Sequence, residues 1–155
     1  MRKKTKKPKS ETLIDLDFGR IKEIWCCECK NIVPAILVSG KKIYPHRPDL
    51  AELPFWECDT CKNYVGCHHK TLNRTKPLGN IPTKEIKNAR KHIHAVIDPL
   101  WKNHEEPYRA RGWIYRFIAE KIGIEHYHTA EIKTIEEARK VYSVASKIKT
   151  AEECR

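Results

Sequence analysis

The sequence predicts an α+β fold, and three observations carry that expectation. Two Cys-x-x-Cys pairs, "CCEC" at 26–29 and "CDTC" at 58–61, sit among short β-branched and aromatic runs. Turn-forming Pro and Gly residues separate those runs. From Thr83 onward the character changes, and apolar residues recur at helical spacing between capping signals. The expected architecture is therefore zinc-ribbon-like β-hairpins followed by a small group of three to four helices.

Taken in order, residues 1–10 ("MRKKTKKPKS") are lysine-rich and short of apolar side chains, which reads as a disordered basic tail. "TLIDLDFG" (12–19) alternates apolar and acidic residues and reads as a short strand or an ordering arm. "IKEIWCCECK" leads into the first cysteine knuckle, and "NIVPAILV" (31–38) is a strand. "SGKK" reads as a turn and "KIY" as the return strand of a hairpin. "PHRPDL" (45–50), with two prolines in four residues, is loop. "PFWEC" enters the second knuckle and "YVGC" leaves it. Residues 11–82 thus form one β module.

Residues 83–155 form a helical module packed on it. Thr83 is the expected N-cap, with Ile86, Ala89, Ile93, Ile97 and Leu100 on one stripe. Pro99 is expected to break or kink this helix, with Asp98 capping a new turn. Pro107 opens a second helix, buried along Ala110, Ile114, Phe117, Ile118 and Ile122 and ended by Gly123. Thr134 and Glu137 form a capping box for the last helix, whose apolar face is Ala138, Val141, Tyr142, Ala145 and Ile148. A helix-turn-helix needs a turn of about three or four residues, and the next capping signal after Gly123 comes too late for one.

The formal net charge of the 155 residues is +11. The first ten residues carry six cations and no acid, which leaves +5 on the remainder. Residues 62–91 hold eight cations (Lys62, Lys70, Arg74, Lys76, Lys84, Lys87, Arg90 and Lys91) against one acid, Glu85. Such a balance suits a polyanionic partner, most simply nucleic acid, and equally a solubilising tail with a solvated helix face. No apolar run is long enough to span a membrane, and no apolar stretch follows the N-terminal charges as in a secretory signal. The reading is a cytoplasmic protein.

Seven cysteines, an odd number with four in two tight pairs, suit metal thiolates in a reducing compartment better than a disulfide framework. A Cys-x-x-Cys knuckle turns two thiolates toward one ion, and two knuckles complete a closed tetrahedral shell. The expected ligands are Cys26, Cys29, Cys58 and Cys61, holding one structural Zn²⁺ per chain. Trp25 and Trp56 precede the pairs and would cover the site. Cys27 competes with Cys26 and reads as a small packed side chain, and Cys154 as an idle thiol. Cys67 and His68, being adjacent in a strand, point to opposite faces and do not share an ion. His68 is either a hydrogen-bonding structural residue or a site residue beside the metal.

The segments "KIYPHRPDL…FWECDTCKNYVGCH", "KPLG", "IDPLW" and "YRFIAEKIGI…YH" together resemble a bacterial and phage family of zinc-finger-containing proteins of unknown function. The resemblance runs from about Cys26 to the last helix. It implies the same four zinc ligands and marks "PHRPDL" and "VGCH" as signature segments, but brings no activity. Where the family tends to place a cysteine in the last helix, this chain has Ala138. A second likeness is to phage junction-resolving nucleases of the His-Me finger type, with His46 and Asn63 in broadly similar positions. The acid normally beside that histidine is absent, since Tyr44 and Pro45 stand there.

The leading functional reading is a non-enzymatic, zinc-stabilised nucleic-acid-binding or regulatory protein of phage or mobile-element type. Arg47, Lys62, Lys70, Arg74, Lys76, Lys87, Arg90 and Lys91 are the candidate nucleic-acid contacts. Two alternatives stand beside it. One is a small nuclease using His46, with His68 and Asn63 as further catalytic candidates; on either reading His46 and His68 are expected to lie near each other on the zinc module. The other is an inhibitor that binds a host protein. In the "YPHRPDL" loop Arg47 and Asp49 are expected either to pair or to serve phosphate contact or acid–base work.

Overall fold

The computed structural model describes residues 16–155. The basic tail and the first part of the 12–19 segment lie outside the described residues, and residues 16–19 make a turn instead of a strand. The chain forms two compact units. One takes the residues up to Trp25 together with Ile32–Ile81, and the other takes Cys26–Asn31 together with Pro82–Arg155.

One antiparallel sheet, in the first unit apart from its residues Cys26 and Asn31, has the order β1 (Ile21–Cys26), β2 (Asn31–Ser39), β3 (Pro54–Cys58) and β4 (Tyr64–Gly66). Ala35 lies opposite Cys58 and Ser39 opposite Pro54, while Phe55 lies opposite Gly66. On β2, Val33, Ala35 and Leu37 are buried in strict alternation, as a strand with one core face requires. All of β3 is buried, because it is a central strand covered on both faces.

The expected return strand "KIY" is a correction. Gly40–Ile43 is instead a single helical turn, α1, and β3 is the strand that pairs with β2. The reason is a close backbone crossing. The Gly40 N–H donates to Leu53 O at 2.8 Å and the Lys41 N–H to Ala51 O at 3.3 Å, so the returning chain already fills that edge. A Cβ on Gly40 would lie 1.8 Å from the Leu50 carbonyl oxygen, so only glycine fits here.

The second unit is built on α2 (Lys84–Lys102), α3 (Pro107–Ile122) and α4 (Ile135–Ala145). Thr83 caps α2 by accepting from the Ile86 N–H at 3.1 Å, and Ile86, Ile93 and Ile97 are buried. Of the expected break or kink at Pro99, the break is a correction: α2 continues through it to Lys102. The proline lies on the exposed side of the final turn, where its missing N–H costs only the bond to the Ala95 carbonyl, and Ala95 is itself exposed. Asp98 caps nothing. It accepts from Trp101 Nε1 at 3.2 Å and pairs with His94 and Lys102.

Pro107 and Gly123, the latter at φ 76°, bound α3 as expected. Thr134 caps α4 by accepting from the Glu137 N–H at 3.1 Å. The Glu137 carboxylate reaches the Lys133 N–H instead of that of Thr134, so the box is displaced by one residue. Ile97, Ile114, Ile118, Val141 and Ala145 are fully enclosed. Tyr142, expected on the apolar face, is 46% exposed. No helix among the described residues is long and apolar enough to cross a membrane.

Candidate metal centre

Cys26 ends β1 and Cys58 ends β3, so both knuckles are hairpin turns of one sheet. The sulfur atoms of Cys26, Cys29, Cys58 and Cys61 all lie within 4.8 Å of one another. A tetrahedron with metal–sulfur bonds of ~2.3 Å has S···S edges of ~3.8 Å, which this set accommodates. Cys26 and Cys58 are fully buried and Cys29 and Cys61 half-buried. Four soft thiolate donors in a closed shell suit one structural zinc and leave no open position for substrate.

The two knuckles share a backbone device. Lys30 and Lys62, each directly after the second cysteine of its pair, adopt the left-handed conformation at φ 53° and 66°. In the second knuckle this brings the Asn63 N–H to 3.5 Å from Cys61 Sγ, where it donates to the sulfur. The Cys58 N–H donates to Asn63 O at 2.8 Å, and the Lys62 N–H to Cys58 O at 3.1 Å. Hydrogen bonds onto a sulfur favour its thiolate form, and so the metal-binding state.

The competition between Cys26 and Cys27 is resolved by packing. Cys27 is buried, and its thiol faces the Ile132 carbonyl at 3.9 Å. Burial raises its pKa. Cys67 is also enclosed, and burial pushes its thiol up to about 12. Cys154 is buried in the 3₁₀ turn Ala151–Cys154 and pushed up to about 11 by burial, so it belongs to the core of its unit.

The other candidate residues have these surroundings. His46 is exposed, just before the 3₁₀ turn Pro48–Leu50. Arg47 and Asp49 pair in bidentate fashion at 2.9 and 2.7 Å, and the Arg47 hydrogen bond holds the Asp49 carboxyl below its usual range. That pair is internal to the loop. The loop is fastened instead by Tyr44, which packs edge-on against Phe55 and Tyr64 and shares a hydroxyl hydrogen bond with Tyr64 at 2.5 Å. Asn63 serves the knuckle with its backbone. The backbone of His68 closes the loop after β4: its N–H donates to Lys76 O at 2.9 Å, and its carbonyl accepts from Thr71 N and Oγ1. Among the described residues, no group of three or more His, Cys, Asp or Glu side chains converges besides the four cysteines.

Lys62, Lys70, Lys76 and Lys91 are exposed, while Arg74 and Lys87 are half-buried. Arg90 is a correction. It is only 8% exposed and its Nη2 donates to the Ile132 carbonyl at 2.6 Å, with burial lowering its pKa. An inward guanidinium holding a backbone carbonyl is structural, and it cannot meet a phosphate. The sequence reading also missed Arg20. Its Nη2 donates to Thr75 Oγ1, and its guanidinium lies 5.6 Å from the centre of the Trp56 ring. No local spacing links residues 20, 56 and 75, so only the fold reveals this cluster.

The model of a zinc-finger-containing domain family matches residues 22–148. No curated protein and no solved structure matches the chain.

Proposed function

This chain belongs to that zinc-finger-containing family, and on that premise we propose that it is a zinc-stabilised nucleic-acid-binding protein in which the metal holds shape and exposed cations contact phosphate. One observation carries the reading. Between Asp59 and Glu85 there is no carboxylate, and in that interval Lys62, Lys70 and Lys76 stand exposed on the sheet-bearing unit. The loop of Lys70 and Lys76 is pinned by the Cys67–Pro77 bridge and the His68–Lys76 bond, and Lys62 is held in the knuckle by its N–H to Cys58 O. A fixed, acid-free row of cations favours a polyanion, because no internal carboxylate competes for it. Four cysteines gathered for a metal and three further buried thiols suit a reducing, cytoplasmic setting. A regulatory role in a phage or mobile element rests on the resemblance of the motifs alone.

The nuclease alternative draws no support from the side chains. Asp49 is engaged by Arg47, and hard-cation catalysis wants clustered carboxylate oxygens. The test of binding is fluorescence anisotropy with single-stranded and duplex DNA and RNA between about 50 and 200 mM salt. With three or four phosphate contacts, log K should fall against log salt with a slope of about −2 to −4. Absence of binding at the lowest salt, with zinc bound, would transfer the basic surface to a protein partner.

A further inference from the structure

Beside the loop 67–77 lies a cavity of 330 Å³ lined by Arg20, Ile21, Lys22, Trp56, Asn73, Thr75 and Lys76. Three of those residues are cations and none is acidic. We propose that Arg20, Lys22 and Lys76 form a pocket for a single phosphodiester of a nucleic-acid backbone, which rests on the nucleic-acid reading above and makes this cavity the fixed point of the contact.

The pocket is built, not merely charged. Arg20 is the residue that leads into edge strand β1, and its backbone carbonyl accepts from the Leu37 N–H at 3.0 Å. Its guanidinium is set against the buried Trp56 ring and is hydrogen-bonded to Thr75 Oγ1. The Trp56 Nε1–H donates to Thr75 O at 2.7 Å, so one residue of the loop is tied to both the arginine and the indole. The Lys76 N–H donates to Asn73 O at 3.2 Å, which fixes the turn carrying the third cation.

The planar guanidinium presents five donors in a fixed fork, and Thr75 takes one of them. An arginine whose rotamer is already set loses little freedom when it meets a phosphate oxygen. Lys22 and Lys76, both exposed, supply point charges at the rim. Asn73 and Thr75 add short polar groups suited to phosphate oxygens. A phosphodiester is the matching ligand, since it is small, singly charged and rich in acceptors. An acidic peptide shares the charge, and is distinguished below.

The experiment uses the full zinc-loaded chain and the variants Lys22→Gln, Lys76→Gln and their double, with Lys41→Gln as an exposed control that does not line the cavity. Zinc content and circular dichroism establish that each is folded. Because the pocket neutralises one phosphate, the double variant should reduce the magnitude of the salt slope for oligonucleotide binding by about one, and each single variant by less. Lys41→Gln should leave it unchanged. Titration with a thymidine dinucleotide bearing one phosphodiester should shift the Trp56 indole N–H resonance, and the double variant should abolish that shift. Oligonucleotide binding with slopes equal in wild type and double variant would overturn the pocket while leaving nucleic-acid binding intact. No oligonucleotide binding at all, with the same resonance shifted by a poly-glutamate peptide, would overturn both.

Discussion

Replacing Arg90 by methionine keeps the aliphatic stem and removes the charged donor. In the wild type, Nη2 donates at 2.6 Å to the carbonyl of Ile132, a residue with no exposed surface. Losing a charge-assisted hydrogen bond to a buried acceptor costs about 1.5–3 kcal/mol. Two effects reduce the loss. The Cys27 thiol still faces the same carbonyl at 3.9 Å, and methionine removes the desolvation that lowers the arginine pKa. A net destabilisation of about 1–2 kcal/mol follows. At about 2–4 °C per kcal/mol for a chain of this size, Tm should fall by about 2–8 °C. Urea unfolding followed by tryptophan fluorescence measures the loss, and anisotropy below the transition should show unchanged oligonucleotide affinity. An unaltered unfolding midpoint with a diminished salt slope would show that Arg90 faces the ligand, and would refute the burial argument.

Other perturbations follow from the same geometry. Gly40→Ala places a methyl 1.8 Å from the Leu50 oxygen, and should cost at least the roughly 1–3 kcal/mol of core overpacking; a thermal midpoint within error of wild type would contradict the close crossing. Lys30→Gly relieves a left-handed φ of 53°, worth about 1–2 kcal/mol, against about 0.5–1 kcal/mol of added chain entropy. Denaturant midpoints should therefore rise slightly or stay level, whereas Lys30→Val should lower them. On the alkaline side, Cys67 is raised from 9.0 to about 12 and burial also raises Tyr127. Below pH 9 both states keep the thiol protonated and nothing is lost. Between pH 9 and 12 only the unfolded chain ionises it, so stability should decline across that window, and Cys67→Ala should flatten the decline in a pH series of urea titrations.

The metal site was legible in the sequence because it is a local signal. Two Cys-x-x-Cys pairs fix ligand number and geometry whatever the rest of the fold does, and Thr83, Pro107 and Gly123 likewise state the helix boundaries within a turn. The misreadings share a cause in long-range contact. "KIY" has strand-forming residues, yet Gly40 is forced against Leu50 by the returning chain. Pro99 reads as a break or kink, but its position on an exposed last turn makes the lost bond cheap and the helix runs on. Arg90 reads as one more surface cation in a basic run, and only its contact with Ile132, forty-two residues away, turns it inward. Arg20 and Lys22 lie far in sequence from the basic loop they join across the cavity.

The most direct measurement is X-ray absorption at the zinc edge, combined with elemental analysis, on wild type and on single serine variants of Cys26 and Cys27. One zinc per chain with four sulfur neighbours at ~2.3 Å is expected. Cys27→Ser should retain that shell, because the Cys27 thiol faces the Ile132 carbonyl. Cys26→Ser should lose the metal and, with it, the cooperative fold, because structural zinc binding is coupled to folding. A shell containing nitrogen or oxygen in the wild type, or zinc kept by Cys26→Ser and lost by Cys27→Ser, would contradict the four-cysteine centre.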